Sequence, residues 1–261
     1  MNITNNRTIP FIVEDGFNTS YIDTLLMALF YKPSYIQDIL SDTPSNPDFI
    51  YLQELIYQNF VCNIRCHFSV DASTINEIRN YMFLCGWQNE YNITDQYNVN
   101  ELYSFLINGF NSNKIKYIDD NKNETHIDYI ECHVDTNTNT KILIEKHVNE
   151  ITDSKLIEIP KYIPLFLNRK NNFDVDIKYG INLKNNILND DEKLTLWTIH
   201  SIICLPQNET KHYYSIIYDR NEWYYFDNTK LPSLIKIDIK NEDIALKIKK
   251  ESIFILYSLD C

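Results

Sequence analysis

Positive charge is scarce in this chain: 24 lysines and arginines stand against 36 aspartates and glutamates, a formal net charge of −12. Phosphate binding needs a basic stripe and none is visible, so nucleic acid is excluded as a partner and a basic protein surface fits better. Long apolar runs are missing as well. LLMALF and SIFILY, the longest, fall far short of the roughly 20 residues of a membrane helix. The amino terminus MNITNNRTIPFIVED has neither a basic n-region nor an apolar h-region, so no membrane association is expected and the protein should be intracellular, cytoplasmic or nuclear. The six cysteines, at 62, 66, 85, 132, 204 and 261, contain no CxxC pair. Cys62-x-x-x-Cys66-His67 carries zinc-ligand types but lacks a second pair at the usual distance, so reduced free thiols and no metal are expected. Low-complexity linkers and internal repeats are absent too.

What is present is a hydrophobic content of 44%, enough for a proper core in one large domain or two small ones. Up to about residue 108 the pattern is helical. Ile22, Leu25, Leu26, Leu29 and Phe30 recur at three- and four-residue spacing, predicting a core helix over 21–31 that Pro33 ends. An apolar segment around 50–61 follows. Helices are then predicted over 72–84, with Ile75, Ile78 and Met82 on one face, and over 98–107. From about 113 the chain changes to short β-branched and aromatic runs between Asn and Asp: KIKYI, THIDYIECHV, KILIEKHV, IPLFLNR, LWTIHSIICL, HYYSIIY, EWYYFD and SIFILYSL, all read as strands. A helical half followed by a strand half means an α+β fold, and the polar stretch 109–158 is the expected projecting insertion.

Two stretches carry candidate chemistry. In GFNTSYIDTLLMALF (16–30), Ser20 precedes the first periodic residue and Asp23 lies three positions on, close to a capping box. In KHYYSIIYDRNEWYYFDN (211–228) a hairpin is predicted, with strands 212–218 and 222–226 around a turn at 219–221. It would bring His212 near Asp227, whose carboxylate is expected to accept the imidazole Nδ1–H and leave Nε2 as a base. A surface histidine and a turn aspartate are the plain alternative.

NTSYIDTLLMALF resembles the cysteine box of the ubiquitin-specific proteases, Gly-Asn-Thr-Cys-Tyr-Met-Asn-Ser followed by Leu-x-x-Leu. HYYSIIYDRNEWYYFDN resembles their histidine box. Between and after these, in order, QYNVNELYSFLI (96–107) is similar to the Gln-Gln-Asp-Ala-x-Glu-Phe-Leu helix, IPKYIPLFLNR (159–169) to the Pro-x-x-Leu-x-Ile-x-Leu-x-Arg strand, and SIFILYSL (252–259) to the last core strand. The resemblance spans about residues 10–259. It implies a papain-like cysteine protease fold in one catalytic-type domain, with a helical thumb (1–108), a reduced, metal-free fingers insertion (109–158) and an antiparallel-sheet palm (159–261). The implied activity is a deubiquitinase, hydrolysing the isopeptide bond after ubiquitin's carboxyl-terminal Gly-Gly without a cofactor. The implied partner is ubiquitin or a ubiquitin-like protein and its conjugates, with the enzyme itself a monomer.

Carried over, Ser20 takes the nucleophile position at the amino end of the first helix, where the helix dipole would favour a thiolate. His212 becomes the general base and Asp227 its orienter; Asn228 falls where a second acidic or amide residue is common. Glu101 matches a carboxylate that grips arginines of the ubiquitin tail, with Asn98 and Tyr213 as further substrate contacts. The departures are specific. Ser replaces Cys, which implies slow or no cleavage and reads more simply as a replaced cysteine than as a serine-protease nucleophile. Asp15 stands where the family has its oxyanion Asn, leaving Asn18 or backbone N–H groups at Thr19 and Ser20 for that role. Phe17, Asn98 and Lys211 replace Gly, Asp and Gly, so the loop 206–211 lacks glycine. Only 4 glycines, with heavy use of Asn, Ile, Lys, Asp and Tyr, suggest an AT-biased genome such as that of a large DNA virus. A ubiquitin-binding pseudoprotease and a non-catalytic interaction module are the alternatives.

Overall fold

The computed structural model describes residues 10–88, 92, 95–118, 121–150, 155–169, 171–182, 196–206 and 212–259. The chain enters through β1 (Ile12–Val13) and turns into α1 (Ser20–Phe30), every residue of which is buried. A helix buried all round belongs in the middle of a fold, and α1 packs on the sheet on one side and on α4 and α5 on another. Tyr21, Ile22, Leu25, Leu26, Leu29 and Phe30 are almost fully enclosed; burying each contributes about 1.5–3 kcal/mol. After a 3₁₀ turn at Tyr35–Leu40, α2 (Pro47–Leu55) starts beneath Asn46, whose side chain accepts the Asp48 N–H at 3.0 Å. It continues through a π-helical stretch, Ile56–Val61, into α3 (Cys62–Cys66). Then β2 (Ser69–Val70) pairs in parallel with β1, and Asp71 caps α4 (Ala72–Leu84) by accepting the Thr74 N–H at 2.8 Å. The helical half closes with α5 (Val99–Gly109). The helices predicted over 21–31, 72–84 and 98–107 form within a residue or two of those bounds.

The second half contains β3 (Ile115–Ile118), β4 (Glu124–Ile127), β5 (Ile130–Val134), β6 (Thr138–Asn139), α6 (Thr140–Glu150), β7 (Lys155–Leu156) and β8 (Tyr162–Arg169). It goes on with β9 (Val175–Asp176), β10 (Gly180–Ile181), β11 (Trp197–Cys204), β12 (Tyr214–Asp219), β13 (Glu222–Phe226), β14 (Leu234–Ile237), α7 (Glu242–Glu251) and β15 (Ser252–Leu259). The main sheet runs in the order β14-β13-β12-β11-β15-β8-β5, with β10 also on β11. Its pairings are antiparallel except β5 with β8. Both faces are covered, and the side-chain period of two sorts neighbours to opposite sides. Ile203, Tyr213, Ile217, Phe254 and Leu256 join the core shared with the helical half. Ile202, Tyr214, Ile216, Ile255 and Tyr257 join a second core with Trp197, Leu143 and Ile144. On β11, the ring of His200 is fully enclosed, and burial lowers its pKa to about 3.

Two expectations change here. KILIEKHV forms α6, not a strand: Asn139 Oδ1 accepts the Ile142 N–H at 3.1 Å, Lys141 pairs with Glu145 one turn on, and Leu143 and Ile144 face the core while Ile142 is exposed. Within 109–158, β3, β4 and β7 build a separate three-stranded sheet and β6 pairs with β9 in another, whereas β5 lies at the edge of the main sheet.

Candidate active site

The turn before α1 is unusual for its residues. Phe17 and Asn18 both hold left-handed φ angles, 68° and 55°, a region that costs a side-chain-bearing residue roughly 1–2 kcal/mol. Arg79, buried on α4, holds the turn by donating to the Phe17 carbonyl at 2.8 Å and to Asn76 Oδ1 at 2.7 Å. Gly16 is required for space, because a Cβ there would meet Thr19 Cγ2 at 2.9 Å. Ser20 is the first residue of the helix and not its cap. Thr19 occupies the N-cap position, with its carbonyl accepting the Ile22 and Asp23 N–H groups at 2.8 and 3.1 Å. The predicted capping box does not form, since the Asp23 carboxylate is engaged elsewhere. Its Oδ2 accepts from Asn228 Nδ2 and lies 3.2 Å from Thr19 Oγ1.

Thr19 Oγ1 also accepts the Gly16 N–H at 2.9 Å and lies 3.3 Å from Asp15 Oδ1; Asn228 Nδ2 is 3.4 Å from the same Asp15 oxygen. Asp15, Thr19, Asp23 and Asn228 therefore tie the turn below Ser20 to the loop after Asp227. Burial pushes the Asp23 carboxyl well above the usual range, outweighing the lowering by the Asn228 and Thr19 hydrogen bonds, and Asp15 raises it further.

The hairpin forms with β12 against β13 in the register Ser215 to Phe226 and Asp219 to Glu222. Its two-residue loop, Arg220-Asn221, has φ angles of 49° and 64°, as the tightest hairpin turn demands. Counting back along that register puts His212 beside the residues just past Phe226. His212 Nε2 stands 2.9 Å from Asp227 Oδ1. The nitrogen facing the carboxylate is thus Nε2, not the expected Nδ1, because the ring meets Asp227 with its outer edge; Nδ1 is the nitrogen left for a reacting group. Asp227 is buried and crowded with donors: Thr229 N–H and Oγ1 at 3.0 and 2.6 Å, Tyr225 hydroxyl at 3.1 Å and Lys230 Nζ at 3.2 Å. Burial alone would raise its pKa, but hydrogen bonds from His212 and Thr229 hold it well below the usual carboxylate range.

Turn and hairpin meet at Ser20. Its Oγ accepts the Tyr213 backbone N–H at 3.3 Å, and one turn further Thr24 Oγ1 donates to the Tyr213 carbonyl at 3.2 Å. The His212 backbone is therefore beside the serine, although among the described residues no hydrogen bond joins Ser20 Oγ to the His212 ring. From the segment that leads into α5, Gln96 Nε2 donates to Ser20 Oγ at 2.9 Å. Glu101, in the first turn of α5, is exposed; Asn98 Nδ2 reaches its Oε1 at 3.0 Å and Gln88 Nε2 its Oε2 at 3.3 Å. Tyr213 offers the site its backbone only, because its ring is packed in the core, where burial raises the hydroxyl to about 12. Asn18 is exposed on the turn. Lys211 and the rest of 207–211 lie outside the described residues.

Gln96 and Arg79 are the residues that the sequence reading did not single out. Gln96 opens QYNVNELYSFLI, and Arg79 occupies a core-face position of α4, four residues after Ile75; both signals are in the sequence. Among the described residues no three His, Cys, Asp or Glu side chains converge as a metal site. Cys62 is half-buried and Cys66 exposed, both as free thiols.

In sequence the chain matches no protein-family model and no curated protein. In structure it is similar to a chain of the SAGA Ubp8/Sgf11/Sus1/Sgf73 DUB module bound to monoubiquitin, with 11% identity and a TM-score of 0.65 over 99% of this chain and 73% of that one. It is similar also to a chain of the same kind of module bound to ubiquitin aldehyde, with 11% identity and a TM-score of 0.66 over 97% and 70%. At such identity the likeness is one of fold, and this chain has, over nearly its whole length, the fold of those deubiquitinase-module chains.

Proposed function

We propose that this chain is a ubiquitin-specific-protease-like domain that binds ubiquitin or a ubiquitin-like protein, and whose cysteine form hydrolyses the isopeptide bond after the carboxyl-terminal Gly-Gly. The observation that carries the reading is the meeting of the two boxes: the Tyr213 N–H rests on Ser20 Oγ, and the preceding residue, His212, is held by Asp227 at 2.9 Å. In this reading Ser20 marks the nucleophile and His212 takes its proton and later delivers it to the leaving lysine amine. Asp227 fixes the ring, Glu101 and Asn98 receive the arginines of the tail, and α1–α5 and the main sheet act as thumb and palm with β3, β4 and β7 as short fingers. No cofactor enters, and the protein works as an intracellular monomer, in a host cell if its source is viral. Similarity of fold to chains solved with ubiquitin supports the choice of partner.

As written, with Ser20, the chain is proposed to cleave slowly or not at all. A hydroxyl stays protonated where a thiol beside a histidine ionises. The strained Phe17-Asn18 turn and the missing hydrogen bond between Ser20 and the His212 ring favour, as a second reading, a pseudoprotease that binds without cutting. Titration calorimetry of the chain with ubiquitin, and with ubiquitin-like proteins, tests both: heat of binding is expected, and no binding to any of them would leave an interaction module that shares only the fold.

A further inference from the structure

Acyl transfer at residue 20 needs an N–H or O–H aimed at the carbonyl oxygen as it gains charge. Asp15 stands at the expected donor position, but a carboxylate only accepts, and its Oδ1 already faces Thr19 at 3.3 Å and Asn228 at 3.4 Å. The Asn228 amide is spent on Asp23. Gln96 alone among the described side chains sends an N–H to Ser20 Oγ, at 2.9 Å. It is held in place by its neighbour: the Tyr97 ring packs against Tyr21, Trp87 and Phe83 at centroid distances of 5.7, 5.8 and 6.0 Å, fixing the segment that leads into α5. A donor fixed in this way loses little orientational freedom at the moment of reaction.

We infer that Gln96 is the side-chain donor of the oxyanion site, filling from the α5 wall of the cleft the role that Asp15 cannot. The inference rests on the proposed role of residue 20 as nucleophile. In the cysteine form the bond from Sγ to the carbonyl carbon forms while the π pair moves onto oxygen, and the thiol proton rests on His212. The new oxyanion is bonded to the same carbon as Sγ, so the Gln96 amide passes from nucleophile to oxyanion with a small shift. Collapse restores the C=O, breaks the C–N bond, and the leaving amine takes the proton from His212.

The test uses the full chain carrying Ser20→Cys, and compares it with the same chain carrying Gln96→Ala or the near-isosteric Gln96→Glu as well. Loss of the donor should lower kcat on a fluorogenic ubiquitin substrate by about 10²–10³-fold, with KM and the affinity for plain ubiquitin changed less than about threefold. Affinity for ubiquitin aldehyde, whose adduct carries the tetrahedral oxygen, should fall along with kcat. The rate of thiol alkylation by iodoacetamide should stay within about threefold across pH. An unchanged kcat in both variants, or an equal loss of affinity for plain ubiquitin and for the aldehyde, would overturn the role of Gln96 while leaving residue 20 as nucleophile. A Ser20→Cys parent that neither cleaves nor accepts an electrophilic ubiquitin would overturn both.

Discussion

Asp227 and Asp23 are both buried carboxyl groups of the same site, and their surroundings push them in opposite directions. Asp227, at the end of the hairpin, receives His212, Thr229 twice, Tyr225 and Lys230, and is held ionised well below the usual carboxylate range despite its burial. Asp23, one turn into α1, receives Asn228 and Thr19, leaves Oδ1 without a partner, and burial pushes its carboxyl well above the usual range. A fixed negative charge is what an imidazolium needs beside it; a neutral carboxyl can sit in the core under the nucleophile turn without opposing it. The hairpin thus holds its acid ionised in a ring of donors, as the proposed catalytic role requires. The turn is built as a strained support, held by Arg79 and the Asp23 cluster.

The largest effect should come from the well-built half. In the Ser20→Cys chain, Asp227→Ala should lower kcat/KM on a fluorogenic ubiquitin substrate by about 10²-fold or more, as loss of the ring's partner does in acid–base catalysis. A loss below about threefold would mean that the pair is only structural.

Next comes the wall proposed to bind the tail. Glu101→Ala should weaken ubiquitin binding by about 1–3 kcal/mol, the value of a charge-assisted hydrogen bond, with folding nearly untouched. Calorimetry reads it directly, and unchanged affinity would remove α5 from the binding surface.

On the other side of the comparison, Asp23→Asn keeps an oxygen for Asn228 and Thr19 and removes the titrating group. The folded-state pKa is raised, so the stability that Asp23 contributes is full below the unfolded carboxylate pKa and declines as pH rises through the raised value. Asp23→Asn should therefore be more stable relative to the parent at pH 8 than at pH 5, in denaturant unfolding. An equal effect at both pH values would show that Asp23 is ionised in the fold. Asp227 has the opposite sign: its contribution is present above the unfolded carboxylate pKa and is lost in acid. The smallest change is Phe17→Gly. Freed from a left-handed φ of 68°, the chain should gain up to about 1 kcal/mol, offset by the backbone entropy of glycine. A loss of stability would mean that the exposed Phe17 ring makes contacts worth more than the strain.

The helices and the main-sheet strands were legible because their apolar periods are clean: Ile75, Ile78 and Met82 on α4, and alternation on both faces of β11 and β12. α6 was not, because Ile142, Leu143 and Ile144 read as a β-branched run while the signals for helix, the Asn139 cap and the Lys141–Glu145 pair, lie in polar residues at its margins. The joining of His212 to Asp227 follows from hairpin register, but which imidazole nitrogen faces the acid depends on ring orientation, which spacing does not carry. Ser20 reads as a cap because Ser before an apolar helix usually is one; Thr19 takes that place, a one-residue difference that sequence cannot resolve. Gln96 opens QYNVNELYSFLI and so was there to be noticed, but that its amide reaches Ser20, 76 positions away, is not carried by local spacing.

The proposal that residue 20 is a nucleophile position served by His212 is tested by reacting Ser20→Cys with ubiquitin bearing an electrophilic carboxyl terminus and following the adduct by mass. The prediction is a single ubiquitin attached at residue 20, formed quickly in the Ser20→Cys chain, about 10²-fold more slowly or more when His212→Ala is added, and not at all with Ser20. A Ser20→Cys chain that binds ubiquitin and stays unlabelled, or that labels equally well without His212, would contradict it.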